Sequence, residues 1–412
     1  MRRRFGLLTV LALLSGVPLS ATAQEPTCPS PEEFMPPEIS FSQPKYIDTA
    51  KAGGEPVSII AQDGSINVSA HAGTTHIYKN PDAAGGAGDF VVGYANQTLN
   101  WRSEDGGNTW QYVGTMGAPA GPHSATSTGF SDPDFAMDQA GKIYNTEIDL
   151  ANVAVFSSND DGQSYAFATP EVSSGDRPWL AANEPDEVFL YINLPQQLWK
   201  STNGGIVWTP VHLGSVPITS KPITDPLNED DGLIGPQGMG TIAISADDGE
   251  TWTEYDGAPL GNSEQFFGAV AADSAGNVYQ AAAGGYNGSA DVTANGQVTF
   301  ASFNRATKQW NEKLVEIPTP EGDAMWPWIT AGDENRVAVT WYQNLKGKPD
   351  EFYVYVAYTE NAQGTWAECS DGSQVFIPPQ FSVTNASGRP IHKGNICLAG
   401  TACNWQYGTN WD

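Results

Sequence analysis

Four copies of one eight-residue pattern constrain the fold of this chain more than any other feature. The pattern reads Ser, any residue, Asp or Asn, any residue, Gly, two further residues, then Trp or Tyr. Its copies begin at Ser103, Ser158, Ser201 and Ser245. Asp or Asn at the third position accepts hydrogen bonds from the backbone of a turn, and Gly at the fifth supplies a positive φ. Each octet therefore predicts a hairpin turn, and a spacing of about 45 residues predicts one such turn per four-stranded unit of a repeated array.

The octet resembles the Asp-box, or BNR repeat, of the sialidase-like β-propellers, and the resemblance covers the chain from about residue 54 to about residue 387. It implies that the boxes mark the fold and take no part in catalysis. The third and last residues of each octet are therefore expected to be structural. These positions are Asp105, Trp110, Asp160, Tyr165, Asn203, Trp208, Asp247 and Trp252.

Six strand-opening phrases recur between the octets. Each begins with a Pro or aromatic residues and continues as a short apolar strand, a turn and a second apolar strand, starting near residues 55, 132, 177, 221, 266 and 326. They predict an all-β, six-bladed β-propeller of four-stranded antiparallel blades over residues 39–393, with a strand at 45–49 that closes the ring. Residues 394–412 are either a cysteine-containing tail or the start of a further blade in a truncated seven-bladed chain.

The first residues predict export. Three arginines, an apolar run and the motif Ala21-Thr22-Ala23 indicate a signal peptide at residues 1–23. Residues 24–38, rich in Pro and Glu, are expected to form a tether. No later stretch approaches the roughly 20 apolar residues that a membrane span needs, and the context of Cys28 does not suit a lipid anchor. We therefore expect a secreted or periplasmic protein.

Four cysteines remain after this processing, and an even number in an exported chain favours disulfides. Three pairings are open. The short spacing between Cys397 and Cys403 favours a local bridge in the C-terminal segment, which leaves Cys28 to pair with Cys369.

The charge restricts the partners. Nineteen Lys and Arg face 47 Asp and Glu, giving a net charge of −28, which repels nucleic acids and anionic membrane surfaces. Solubility explains most of this acidity, and calcium held by loop carboxylates is the alternative. The five histidines have no metal-ligand spacing, so no metal site or other cofactor is identified. A glycan or an extracellular protein is the expected partner, and the protein is expected to be a monomer.

The residues around the strand-opening phrases are expected to converge at one mouth of the central channel, because these phrases start the innermost strands of such propellers. This mouth is acidic and aromatic. The predicted residues are Glu55, Asp132, Asp134, Asp176, Arg177, Trp179, Lys221, Asp225, Glu264, Trp326 and Trp328. Taken singly, each is equally well explained as a packing or strand-capping residue.

Two function classes follow from this mouth. Aromatic rings beside carboxylates suit stacking on sugars and hydrogen bonding to their hydroxyls, so binding of a glycan or a protein partner is our first interpretation. The alternative is a glycoside hydrolase with paired carboxylates, such as Asp134 and Glu264, facing each other across ~5–10 Å. The family resemblance implies a three-arginine cradle for a sialidase, and only Arg177 is placed to contribute to one.

Arg177 has two interpretations. As the one expected cation of the mouth, it either bridges blades through ion pairs with Asp132 or Asp134, or points its guanidinium into the channel for a ligand. The bridging interpretation is favoured, because a cation among so many acids finds a partner within the protein.

Overall fold

The computed structural model describes residues 27–49, 54–71, 98–116, 131–149, 152–167, 172–173, 175–260, 268–284 and 296–394. Within these ranges the chain forms β-strands and one short 3₁₀ helix, Pro31–Phe34. Six antiparallel sheets of four or five strands form the blades of a β-propeller, which confirms the predicted fold, and a separate two-stranded sheet lies within the last blade's sequence. Among the described residues, no helix is long and apolar enough to cross a membrane.

The first three blades each follow chain order from the innermost strand outwards. Blade 1 contains β1 (Gly54–Ile60), β2 (Ile66–His71), β3 (Thr98–Ser103) and β4 (Gln111–Met116). Blade 2 contains β5 (Ser131–Met137), β6 (Ile143–Asp149) and β7 (Asn152–Ser158), with β8 (Ala166–Phe167) and β9 (Val172–Ser173) sharing the outer edge. Blade 3 contains β10 (Asp176–Ala182), β11 (Val188–Leu194), β12 (Gln197–Ser201) and β13 (Thr209–Leu213).

The other three blades follow the same order. Blade 4 contains β14 (Ile223–Thr224), β15 (Leu233–Pro236), β16 (Thr241–Ser245) and β17 (Thr253–Asp256). Blade 5 contains β18 (Ala269–Ala272), β19 (Val278–Ala283) and β20 (Val298–Asn304), with β21 (Gln309–Trp310) and β22 (Val315–Ile317) at its outer edge. Blade 6 contains β23 (Ala324–Ala331), β24 (Val337–Leu345) and β25 (Lys348–Thr359), with β28 (Ser382–Asn385) and β29 (His392–Lys393) pairing to β25.

Blade 6 departs from the simple repeat. Its third strand leads into a separate hairpin, β26 (Thr365–Glu368) and β27 (Gln374–Ile377), and the strand that pairs with β25 comes only after it. The repeated sequence pattern, in which a turn leads directly from the third strand to the fourth, does not predict this insertion. The hairpin exposes the cross-strand ring pair Trp366 and Phe376, whose centroids lie 5.4 Å apart.

Apolar side chains fill most interfaces between neighbouring blades. Tyr144, Val155 and Leu190 are fully buried between blades 2 and 3, and Phe300 and Trp341 are fully buried between blades 5 and 6. Each blade therefore covers its hydrophobic face with the next one, as propeller blades must.

All four octets form turns between the third and fourth strands of their blades. In the first, Thr109 N and Gly107 N donate to Asp105 Oδ1 and Ser103 Oγ, respectively, both at 2.8 Å. The fourth and fifth residues of every octet have positive φ, including Gly107 at 84°. The predicted role of the fifth-position Gly is thus confirmed. The side chains at the first and third positions of each octet bond within their own turns.

The closing aromatics of the octets are half-buried at equivalent places. Trp208 and Trp252 pack on the clusters between blades 2 and 3 and between blades 3 and 4, and each indole N–H donates to a carbonyl of its own turn, at 2.7 and 2.8 Å. The rings lie at the outer ends of the blade interfaces, which explains why one edge stays accessible.

Replacing the octet aspartates by asparagine is expected to reduce acid sensitivity. Hydrogen bonds from Thr109 lower the pKa of Asp105 to about 2, and those from Thr251 lower the pKa of Asp247. A lowered folded-state pKa gives stability above the unfolded-state pKa of about 4, and this stability is lost as pH falls through the folded value. The amide of Asn203 already holds the third turn, with Val207 N donating to its Oδ1 at 2.8 Å.

The measurement is the urea midpoint of a variant with Asp105, Asp160 and Asp247 all changed to Asn, at pH 5 and near pH 2. We expect a smaller drop between the two pH values than in the wild type. The matched control changes three exposed acids outside the octets, Glu254, Glu312 and Glu334, to Gln. Equal drops in the octet variant and the control would contradict the assignment.

The N-terminal segment, residues 27–49, contacts both blade 6 and blade 1. Cys28 is bonded to Cys369 in the inserted hairpin, as the sequence predicted. Further along, Ser382 donates to the Pro37 carbonyl at 3.0 Å, and the Trp101 indole donates to Asp48 at 3.0 Å. Residues 27–38, predicted as a tether, are therefore attached to the propeller.

One N-terminal prediction is wrong. Residues 45–49 do not form a strand. Side chains of this segment make the contacts with blade 1, because Ile47 packs on its core and Asp48 accepts from Trp101. The predicted signal peptide, the Cys397–Cys403 bridge and the alternative of a further blade after 394 lie outside the described residues.

A second repeated motif joins neighbouring blades at the end opposite the predicted mouth. The sequence Asp-x-Ala-Gly-x-(Ile/Val)-Tyr begins at Asp138 in blade 2 and at Asp273 in blade 5. Asp273 Oδ2 accepts from the Tyr279 hydroxyl at 2.6 Å and from Asn335 N of blade 6 at 2.9 Å. Asp138 bonds Tyr144 and blade 3 in the same way. One buried carboxylate thus closes its own turn and holds the next blade.

Candidate functional site

The innermost strands of successive blades lie side by side around the channel, and four of them open on a strained residue. Glu55, Asp132, Arg177 and Trp326 have φ values of 48°, 57°, 58° and 49°, and each directly precedes a proline. Positive φ at such residues costs about 1–3 kcal/mol and persists only where the surroundings enforce it. Strain of this kind is concentrated at functional sites, so these residues mark the mouth of the channel as the candidate site.

The strained positions coincide with irregular strand pairing. The register shifts between residues 54 and 57, between 131 and 134, and between 325 and 328. Such bulges redirect a side chain locally. Here they aim each acid at the next blade: Glu55 Oε2 accepts from Asp132 N at 3.0 Å, and Asp132 Oδ2 accepts from Arg177 N at 3.2 Å.

Arg177 lies between the two acids that precede it around the ring. Its Nη1 is 3.4 Å from Glu55 Oε1 and 3.3 Å from Asp132 Oδ1, and both carboxylates are largely buried. One guanidinium therefore joins blades 1, 2 and 3. This geometry agrees with the bridging interpretation through Asp132. About a quarter of the Arg177 side chain stays exposed, facing the mouth.

Asp176 supplies a carboxyl of a different kind. It is exposed at the start of β10, and its pKa is raised by partial burial of the carboxyl and by the charge of Asp132. Arg177 opposes this shift. The mouth therefore combines two acids that are bonded to backbone donors and to Arg177 with one accessible acid, Asp176, whose pKa is raised.

Asp134 is fully engaged within the protein. Its Oδ2 accepts from Leu180 N at 2.8 Å, and Lys221 Nζ lies 2.6 Å from its Oδ1. Lys221 also donates to the Phe135 carbonyl at 2.9 Å. This carboxylate links blades 2, 3 and 4 and is not presented to a ligand as a catalytic acid would be.

The three predicted tryptophans have different surroundings. Trp179 stacks on Tyr191 with the ring centroids 6.0 Å apart, and Trp326 makes an edge contact with Tyr342 at the same distance. Both are half-buried packing residues. Trp328 is 46% exposed, so its ring is available at the channel.

A cavity of about 330 Å³ opens between the innermost strands of blades 4, 5 and 6. Trp328 and Thr330 line it on blade 6, Lys221 and Thr224 on blade 4, and the apolar strand β18 on blade 5. This volume lies at the small end of the roughly 300–1,000 Å³ typical of small-molecule sites. The cavity thus combines one exposed aromatic ring, two threonines and a mainly apolar wall.

One predicted mouth residue lies elsewhere, and another is not tested. Asp225 follows the two-residue strand β14 and pairs with Arg305 at 2.5 Å at the opposite end of the channel. Its placement at the mouth was wrong, because the innermost strand of blade 4 is shorter than the sequence pattern indicates. Glu264 lies outside the described residues, so its proposed pairing with Asp134 remains a prediction.

The arginines do not form a sialidase-type cradle among the described residues. Arg102, Arg305 and Arg336 pair with acids at the turns opposite the mouth. Arg389 donates to the Pro44 carbonyl on the N-terminal segment. Arg177 is the one described arginine at the mouth.

Sequence reasoning missed one buried acid near this end of blade 6. Asp323 is 1% exposed, and burial raises its pKa despite an amide bond from Asn344 at 3.3 Å. No repeated motif marks it, because it lies in the connection before β23. Only its position three residues before the Trp326-Pro327 phrase could have indicated it.

Comparison with known proteins finds similarity at the level of structure. No protein-family model matches the sequence, and no curated protein matches it. The structure is similar to the NanB sialidase from Streptococcus pneumoniae, with a TM-score of 0.45 and 11% identity over 77% of this chain and 69% of that one. It is also similar to the α-L-arabinofuranosidase Arb93A from Fusarium graminearum, with a TM-score of 0.41 and 12% identity over 84% and 97%.

A third similar structure is the GH74 xyloglucanase from Xanthomonas campestris, with a TM-score of 0.37 and 16% identity over 54% of this chain. The match spans only 36% of that enzyme. The six blade sheets, with the octet turns between their outer strands, define the fold as a β-propeller. At these identities the similarity concerns the fold, and no activity follows from it.

Proposed function

We propose that the mouth of the channel binds a carbohydrate, with Trp328 as the stacking platform. The observation that carries the proposal is the exposed Trp328 ring at the open cavity between blades 4 and 6. Thr224 and Thr330 line the same cavity, and their hydroxyl oxygens suit hydrogen bonding to sugar hydroxyls. The Cys28–Cys369 disulfide fits an oxidising compartment, where extracellular glycans are met.

The engaged acids support binding over hydrolysis. Glu55, Asp132 and Asp134 each accept from a backbone N–H and pair with Arg177 or Lys221. They hold blades together around the channel. Acids arranged in this way preserve the shape of a binding mouth and are poorly placed to transfer protons.

A glycoside hydrolase is the second candidate, and Asp176 favours it. This acid is accessible, has a raised pKa and lies beside ionised Asp132, the combination that a general acid needs. The proteins similar in fold include hydrolases of arabinose- and xyloglucan-containing substrates. An arabinan or a xyloglucan is therefore a sensible first ligand for either candidate.

The test is a glycan array probed with the labelled protein, run beside a hydrolysis screen of the same glycans at pH 4–7. We expect retention of one glycan class without release of reducing ends. Hydrolysis that Asp176→Asn abolishes would establish the second candidate instead. If the protein neither binds nor hydrolyses any plant, microbial or animal glycan, the carbohydrate proposal is contradicted. A protein partner, the other class that the sequence indicated, would then be the remaining candidate.

A further inference from the structure

The interface between blades 1 and 2 differs from the others because its middle is polar. Near the turns opposite the mouth it is apolar, with Ile143 of blade 2 packed against Ala61 and Ile59 of blade 1. Further towards the mouth, buried amides, hydroxyls and a carboxylate share the interface with Val57 and Phe135, whereas aliphatic and aromatic side chains alone fill the corresponding region between blades 2 and 3.

Blade 1 contributes polar residues from two adjacent strands. Asn67 Nδ2 donates to the Asp161 carbonyl of blade 2 at 3.2 Å, so this face of β2 is directed at blade 2. Ser69 is two residues further along the same face, and its register partner on β3 is Asn100. Thr98 follows on the same face of β3, because side chains alternate along a strand. Opposed residues of this kind have Cβ atoms about 5 Å apart.

Blade 2 presents Asn145 and Glu147 to the same region. Side chains two apart on a strand share a face, and Ile143 on this face packs on blade 1. Asn145 and Glu147 therefore point towards blade 1, one and two levels above Ile143. Asn145 is fully buried and Glu147 is 1% exposed.

Several of these polar groups lack hydrogen-bond partners in the structure. Within the described part of the chain, neither side-chain polar atom of Asn100 or Asn145 is bonded, and the hydroxyls of Ser69 and Thr98 are not bonded either. All four residues are at most 2% exposed. Buried polar groups are almost always satisfied, so such a concentration indicates a bound species that supplies the contacts.

We propose that a hard cation, calcium or sodium, binds between blades 1 and 2. The oxygens without a partner belong to the amides and hydroxyls of Asn100, Asn145, Ser69 and Thr98, and the Glu147 carboxylate lies on the same face of β6 as Asn145. Oxygen donors of this kind suit calcium and other hard cations, and the set lacks the nitrogen and sulfur ligands preferred by zinc or copper. The net charge of −28 favours cations throughout the molecule. The side-chain amide nitrogens of Asn100 and Asn145 then donate to water molecules bound to the cation or to the Glu147 carboxylate.

This site does not depend on a carboxylate cluster. The described residues contain no group of three or more His, Cys, Asp or Glu side chains that could hold a metal. The signal is instead the set of buried neutral oxygens, with a single acid beside them. It is independent of the proposed carbohydrate site, which lies on blades 4 to 6.

The experiment compares the thermal unfolding of the wild type and of Asn145→Leu, in EDTA with choline chloride and after addition of calcium chloride or sodium chloride alone. We expect one of the two cations to raise the wild-type Tm by a few degrees at about 100 times its Kd. The Asn145→Leu variant should lose this cation-specific rise. In EDTA it should be at least as stable as the wild type, since leucine removes a buried amide of similar volume.

The variant keeps all surface carboxylates, so its residual shift measures non-specific cation binding. Ser69→Ala is the second variant, a smaller change that should weaken cation affinity while preserving the fold if Asn145→Leu does not fold. Equal Tm shifts in the wild type and the folded variants, or no shift with either cation, would overturn the proposal and indicate that only water fills the interface.

Discussion

The Asp273→Ala variant is expected to lose about 3–5 kcal/mol of unfolding free energy, since each buried donor left without an acceptor costs roughly 1–3 kcal/mol. Asp273 is fully buried and accepts from Asn277 N at 2.9 Å, from the Tyr279 hydroxyl and from Asn335 N. Removing the carboxylate orphans donors in two blades at once. Urea denaturation at pH 7 measures the loss.

Two control variants distinguish the contribution of the bond between blades 5 and 6 from that of the turn that Asp273 closes. Asp273→Asn keeps one acceptor oxygen for its own turn and should fall between the wild type and Asp273→Ala. Asp371→Ala removes the same kind of turn from an exposed position, where Ser373 N donates to Asp371 Oδ1 at 3.0 Å, and should change little. If Asp273→Ala were no less stable than Asp371→Ala, the link between blades 5 and 6 would contribute nothing measurable.

The Arg177→Ala variant is expected to lose about 2 kcal/mol or more at pH 7, less than the 3–5 kcal/mol of a fully buried pair because Arg177 is partly exposed. Its removal leaves Glu55, Asp132 and Asp176 close together without the cation. Asp176, whose pKa is already raised, should then titrate at still higher pH.

The pH dependence of this loss identifies its cause. When the pKa of a carboxyl such as Asp176 is higher in the folded than in the unfolded protein, the folded protein is relatively more stable below the unfolded-state pKa of about 4. This stability is lost as the pH rises through the folded-state pKa. The deficit of Arg177→Ala should therefore be smaller at pH 4 than at pH 7. Arg177→Lys, which keeps the charge, should recover part of the stability. A pH-independent deficit would indicate lost packing, and unchanged stability with weaker ligand binding would restore the ligand interpretation.

The repeats of the sequence predicted most of the fold. The octets and strand-opening phrases encode local turns and strand starts, and local chemistry of this kind survives in a single sequence. The hairpin 365–377 and the absence of a strand at 45–49 could not be predicted in the same way, because both depend on which edges of blade 6 and blade 1 are covered in the assembled ring.

The site was predicted as a region but not in its details. Convergence of the X-Pro positions at the mouth followed from propeller geometry, and Glu55, Asp132 and Arg177 do meet there. Their positive φ leaves no mark in the sequence, and the bonds that Glu55 and Asp132 make to the next blade coincide with strand bulges that the sequence does not show either. The separate roles of Trp326, which packs, and Trp328, which faces the cavity, likewise depend on strand register.

Calorimetric titration of Trp328→Ala with the best glycan from the array tests the carbohydrate site most directly. The control is Trp366→Ala, which removes a ring that is 64% exposed on the inserted hairpin, outside the channel. We expect Trp328→Ala to weaken binding at least tenfold, about 1.4 kcal/mol, with stability unchanged and Trp366→Ala binding as the wild type does. Loss of binding in Trp366→Ala with full binding in Trp328→Ala would place the ligand on the hairpin and contradict a binding site in the channel.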